Sequence, residues 1–294
     1  MMRSLFTAIG GLKNHQVMLD VTANNLANVN TIGYKSQRVS FETMMSQVMR
    51  GANAPVANGI GGAGPTEIGL GMGLNSIGSI MTQGSSQTTG QWSDLMVQGD
   101  GYFTVAGAVG DGSAPTDISF SRAGNFTLDS SGSLVTQHGQ YVLGLLPDPA
   151  TPGAFLTGLH SITVPTDAKS VSVDQNGVVS YDSPTGPKVA GQLQLAKFPN
   201  PAGLDRQSGN LLKDTPNSGV FDITNAAGAT GFASWGAPNS SGIGAVQAGA
   251  LEMSNVDVAQ EFTTMIVAQR GFQANSKVIT TSDEVLQELV NLKR

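Results

Sequence analysis

Three histidines, His15, His138 and His160, are the only imidazoles in this chain of 294 residues, and their scatter offers no metal-ligand spacing. Cysteine is absent, which removes thiolate metal sites and disulfides together. The run Gly59-Ile60-Gly61-Gly62-Ala63-Gly64 matches the dinucleotide-binding fingerprint letter for letter. No strand pattern precedes it, however, and Pro65 stands where a helix must open, so it reads as a plain glycine loop. Asp94, Asp100, Asp111, Asp117 and Asp129 could supply a carboxylate pair for glycoside hydrolysis, but most sit beside Gly or Ser in turn-like stretches. Neither a Gly-x-Ser-x-Gly elbow nor a Lys-bearing phosphate loop occurs. These residues predict no catalytic residue, no cofactor, no metal and no enzyme.

The strongest pattern lies at the two ends. Leu5, Leu12, Leu19 and Leu26 recur every seven residues with Ile9 in the alternate row, and Val258, Met265, Phe272, Ile279 and Leu286 repeat the spacing with Phe262 in the other row. Polar Gln16 interrupts the first seam; Gln269, Ser276 and Asp283 make one row of the second mostly polar. The spacing predicts helices over 4–28 and 255–292 that form two strands of one coiled coil, and these apolar residues as a self-assembly seam. Ser254 with Asp257 fits a capping pattern for the second helix. Gly271 inside it costs about 1 kcal/mol relative to Ala, which points to close packing or a soft point.

Between the ends the period changes to two. Short apolar bursts such as Leu95/Val97, Tyr102/Phe103/Val105 and Tyr141/Leu143/Leu145 alternate with Gly-rich turns, and Asn176-Gly177 predicts a two-residue hairpin. Phe41, Met44, Met45, Val48 and Met49 suggest a short apolar turn of helix, followed by a loop or arm over 51–65. The expected fold class is therefore α+β. It has a discontinuous terminal helical coiled-coil domain (1–32 plus 252–294), a connector region (33–75 plus 236–251) and an antiparallel, sandwich- or barrel-like β domain (76–235).

Charge and hydropathy narrow the partners. Only 12% of residues are charged and the net charge is -6, with no basic patch or aromatic-basic interleaving, which argues against nucleic acid. No apolar run approaches the roughly 18 residues of a membrane span, so no membrane insertion is expected. Arg3 followed by residues 5–12 faintly resembles a secretory signal, but Lys13, Asn14 and His15 stand where a small-residue cleavage site belongs. Helix is the expectation, with any export occurring without cleavage.

Residues 23–35, Ala-Asn-Asn-Leu-Ala-Asn-Val-Asn-Thr-Ile-Gly-Tyr-Lys, resemble the N-terminal signature of the bacterial flagellar rod and hook proteins, carried by Asn24, Asn25, Leu26, Asn28, Gly33 and Tyr34. Further landmarks of that family are matched by Gln98-Gly99-Asp100-Gly101-Tyr102-Phe103, Ser121-Arg122-Ala123-Gly124-Asn125-Phe126, Ser254-Asn255-Val256-Asp257 and the helix around Gln269-Arg270-Gly271-Phe272. The resemblance implies a homopolymer, a tube whose channel is lined by the terminal helices, outside the cell and exported through the flagellar export apparatus. It also implies partners among the rod, hook cap and hook-filament junction proteins. The C-terminal run 285–294 looks most like the hook subunit, a flexible coupling that transmits torque. The chain is too short for the extra outer domain of larger hook proteins, which keeps the distal rod, a rigid shaft, as the alternative; a secreted carbohydrate-active enzyme is a remote one.

Overall fold

A computed structural model describes residues 2–55, 61–108, 115–148, 155–156, 158–184, 186–226 and 232–292. The glycine-rich match at 59–64 thus falls partly outside the described residues. The chain folds as two compact units. The first holds Met1–Ala27, Gln37–Ile80 and Val256–Arg294; the second holds Asn28–Ser36 and Met81–Asn255.

In the first unit, helix α1 (Met2–Ala27) packs against helix α2 (Val258–Leu292). Their directions are opposed, since Asn25 meets Glu261 while a Cβ on Gly11 would touch Asn275. α2 starts later than the expected residue 255 because Asp257 caps it: its Oδ1 accepts from the amides of Ala259 (2.9 Å) and Gln260 (3.3 Å). At 35 residues against 26, and about 1.5 Å and 1/3.6 of a turn per residue, α2 is longer than α1 by about two and a half turns. No helix of the described residues is long and apolar enough to cross a membrane.

The same unit carries a two-part antiparallel ribbon. Gln37–Thr43 pairs Met72–Ser79, and beyond it Ser46–Arg50 pairs Thr66–Gly69. The stretch expected as a turn of helix is therefore strand on both sides of Met44 and Met45, which link the two parts. Phe41, Val48 and their neighbours can cross-pair in a ladder, whereas a single apolar turn of helix would leave its backbone groups without partners. Asn14 anchors the ribbon to α1, donating to the carbonyl of Met72 at 2.7 Å.

The second unit is mostly β. Its principal sheet runs, in spatial order, Ser170–Val173, Val178–Ser183, Gly186–Leu193, Tyr141–Leu145, Tyr102–Ala108, Leu195–Lys197, Phe232–Gly236 and Val220–Ala226, with further short strands branching from this path. The path is open, so the barrel-like form expected from the spacing of the strands is not realised among the described residues. One pair departs from the antiparallel expectation: Val220–Ala226 runs parallel to Phe232–Gly236. The first five residues of Tyr102–Ala108 are buried, on both faces of the strand. Phe103 and Val105 point into a cluster with Phe126, Val142 and Leu195, while Tyr102 joins Phe120 and Phe198 and Ala106 joins Leu143 and Trp235 on the other side.

The hairpin at Asn176-Gly177 forms between Ser170–Val173 and Val178–Ser183, but not through a two-residue turn. Asp174 and Val178 close it, Gly177 donates back to Asp174 at 2.9 Å, and only Gly177 takes the left-handed conformation (φ 72°). Both mirror-image two-residue turns need positive φ at the first central residue, and Asn176 does not adopt it.

Candidate functional site

Asn25 is the most enclosed polar residue of α1, at 0% exposure. Its carboxamide closes a pair with the backbone of Gln37, donating Nδ2 to the carbonyl (2.8 Å) and accepting at Oδ1 from the amide (2.9 Å), while Nδ2 also reaches Glu261 Oε1 at 3.0 Å. One side chain thus ties α1, the ribbon and α2. Burial raises the carboxyl pKa of Glu261, as does nearby Asp257, against the lowering effect of the Asn25 hydrogen bond.

The other fully enclosed residues of the two helices are small or polar. Ala8, Gly11 and Thr22 on α1 and Ala268 on α2 are buried. A Cβ on Gly271 would lie 2.5 Å from the His15 ring, which itself meets Phe41 edge-on with centroids 6.5 Å apart. Glycine in mid-helix is therefore a matter of room.

The leucine row is less enclosed. Leu5, Ile9, Leu12, Leu19 and Leu26 are half-buried, as are Met265, Ile279 and Leu286, whereas Val258, Phe262 and Phe272 are exposed. Ile266, Val267, Val285 and Leu289 add further apolar surface to α2, and Met45 (84%) and Met49 (67%) do so on the ribbon. Of the signature residues, Asn24 is exposed, Asn28 and Gly33 are half-buried and Tyr34 is buried.

In the second unit, residues 28–36 lie against the β fold through polar bonds. Gly33 takes φ 69°, and a Cβ there would come within 2.7 Å of the Ala123 amide. Its own amide donates to the Glu252 carbonyl at 2.8 Å. The Glu252 carboxylate, at 0% exposure, is shared by two cations: Lys35 Nζ at 2.6 Å and Arg122 Nη1 at 3.1 Å. Gly84 also donates to it at 3.0 Å, Lys35 reaches the carbonyl of Thr82 at 2.8 Å, and Arg122 reaches that of Gly99 at 2.7 Å. Burial pushes the Lys35 ammonium below its usual pKa range, opposed by Glu252 and reinforced by Arg122. Arg206 stacks over Tyr34, 5.3 Å from the ring centroid.

Sequence reasoning did not single out this triad. The available signal was a charge amid small and apolar neighbours, as in Ala250-Leu251-Glu252-Met253, within a chain of which only 12% is charged. No cluster of three His, Asp or Glu able to hold a metal occurs among the described residues.

The geometry is that of a structural subunit: polar ties inside each unit, and an apolar surface left over on the helices. Three family profiles match the chain: "Flagella basal body rod protein" over 5–35, "Flagellar hook protein FlgE/F/G D1 domain" over 96–181 and "Flagellar basal body rod FlgEFG protein C-terminal" over 247–292. The flagellar basal-body rod protein FlgG of Bacillus subtilis is 45% identical over 295 residues, covering all of both chains. That of Borreliella burgdorferi is 36% identical, again over all of both chains. The flagellar hook protein FlgE of Borreliella burgdorferi is 30% identical in an alignment that stretches to 454 positions. The chain belongs to the FlgE/F/G family of flagellar rod and hook proteins. It is an axial structural protein of the bacterial flagellum and not an enzyme.

Proposed function

We propose that this chain is the distal rod subunit, a rigid shaft, rather than the hook subunit suggested by its C-terminal run. The observation that carries this reading is length. The FlgG proteins align end to end with the 294 residues, whereas the alignment with the hook protein stretches to 454 positions, so that relative carries long segments with no counterpart in this chain.

The subunits polymerise through the helices. The leucines of α1 are only half-buried and Phe262 and Phe272 of α2 are exposed in the single chain, so this surface is left for other copies to cover, in a coiled-coil-like wall around a channel. Covering about 400 Å² of such surface per subunit would stabilise the assembly by about 10 kcal/mol before the entropy of association. Export by the flagellar apparatus without cleavage fits the first helix, whose Ala8 and Gly11 are part of the folded unit. Rod, hook and junction proteins would be its neighbours, outside the cytoplasm.

Electron microscopy of basal bodies from a strain lacking the chain tests the assignment. A distal rod subunit predicts basal bodies truncated within the rod and without hooks. Complete rods that merely lack hooks would restore the hook reading.

A further inference from the structure

The chain passes between its two compact units after residues 27, 36, 80 and 255. Within the β unit, three of these four exits meet on two side chains. Lys35, next to the exit at 36, bonds the carbonyl of Thr82 and the carboxylate of Glu252. Asn255, the last residue before another exit, accepts from the Ser36 amide at 2.7 Å and donates to the Thr82 carbonyl at 3.2 Å and its hydroxyl at 3.0 Å. Its own amide donates to the Tyr34 carbonyl at 3.4 Å.

The apolar cores of the unit lie elsewhere. None of the three buried clusters includes a residue of Asn28–Ser36. Besides the clasp, this segment is held by Asn210 donating to the Ile32 carbonyl and by Arg206 donating to the Lys35 carbonyl. Its attachment is thus largely polar, apart from the Tyr34 ring and the half-buried Val29 and Ile32, while the strands it rests on are held by Phe103, Val105, Phe120 and their neighbours.

We propose that Asn28–Ser36 is a detachable strap, held by a polar clasp of Lys35, Glu252 and Asn255, which opens without unfolding the β core. Closed, it gathers the exits at 36, 80 (through Thr82) and 255; open, it frees the chain at 36 from the other two. The arrangement lowers the cost of opening the clasp, because releasing Lys35 rehydrates an ammonium that burial disfavours while leaving Glu252 paired with Arg122 and Gly84. The carboxylate side therefore stays satisfied when the strap lifts. This device goes beyond the rod assignment and does not depend on it, since it acts within one subunit.

Amide hydrogen exchange on the full chain, kept dilute and unassembled, tests it. Lys35→Met keeps the aliphatic stem and leaves the acceptors of the Gly33 and Ser36 amides in place, so neither reporter loses its own partner. Both should exchange at least about tenfold faster than in the wild type, with Phe103 and Val105 unchanged. Asn255→Ala, read at Gly33, should do the same. Unchanged strap rates in both variants overturn the proposal. So does parallel acceleration of strap and core, or failure of Lys35→Met to fold, because the core must then depend on the strap.

Discussion

Asn25 and Gln37 face each other as a closed hydrogen-bonded pair, amide to carbonyl and carbonyl to amide, at 2.8 and 2.9 Å. Only a carboxamide can serve both backbone groups at once. Asn25→Asp would set a carboxylate against the Gln37 carbonyl and the Glu261 side chain. It should destabilise the helical unit by about 3 kcal/mol or more, and Asn25→Ala by about 1–3 kcal/mol. Chemical denaturation followed by helical circular dichroism measures both, and equal effects would contradict the pairing.

Glu261 sets a pH dependence for the same unit. Its pKa is raised in the folded state, so between its ordinary value and that raised value the folded chain holds a proton the unfolded chain has lost. The contribution of this group is therefore full at pH below its ordinary value and is lost as pH rises through the folded value. Glu261→Gln can still accept from Asn25 and should remove that fall. Melting curves across the acidic range should show a flatter profile for the variant; superimposable profiles would contradict it.

Gly271→Ala should destabilise the helix pair even though alanine is the better helix former by about 1 kcal/mol. The added Cβ meets the His15 ring at 2.5 Å, and overpacking of this kind costs about 1–3 kcal/mol. In a His15→Ala background the same substitution should become stabilising. A double-mutant cycle showing no coupling would remove this contact from the account.

Glu252→Gln leaves Lys35 and Arg122 as two buried cations around a neutral group. A loss of about 3–5 kcal/mol in the stability of the β unit is expected. Urea unfolding monitored by the buried Trp235 reads it; a loss below about 1 kcal/mol would mean that the triad is solvated.

The outline of this fold was legible in the residues. Two terminal helices followed from the heptad spacing of Leu5 to Leu26 and Val258 to Leu286, and the β middle from period-two bursts such as Tyr102/Phe103/Val105. The close approaches between the helices were not. Heptad reasoning ranks positions by hydrophobicity, whereas Gly11 and Gly271 owe their place to small size, since a Cβ on either would run into Asn275 or His15 of the facing helix. Strand pairing of Phe41 and Val48 was hidden for a related reason, since a ladder partner about 20 to 35 residues away leaves no local period. The Lys35–Glu252 pair spans 217 residues, and no spacing rule links such positions.

Phe262→Ser separates folding from assembly. Phe262 is 48% exposed in the single chain, so its replacement should change subunit stability by no more than about 0.5 kcal/mol. Polymerisation followed by light scattering should nevertheless fail or need a much higher protein concentration. Normal polymers from this variant would take Phe262 out of the proposed seam.

Helical reconstruction of the polymer by electron cryomicroscopy tests the central claim most directly. A distal rod predicts a straight tube in which every subunit has one conformation, with Phe262 and Phe272 covered by neighbouring copies. A curved tube whose subunits differ around its circumference would contradict the rigid-shaft account and return the chain to the role of a flexible coupling.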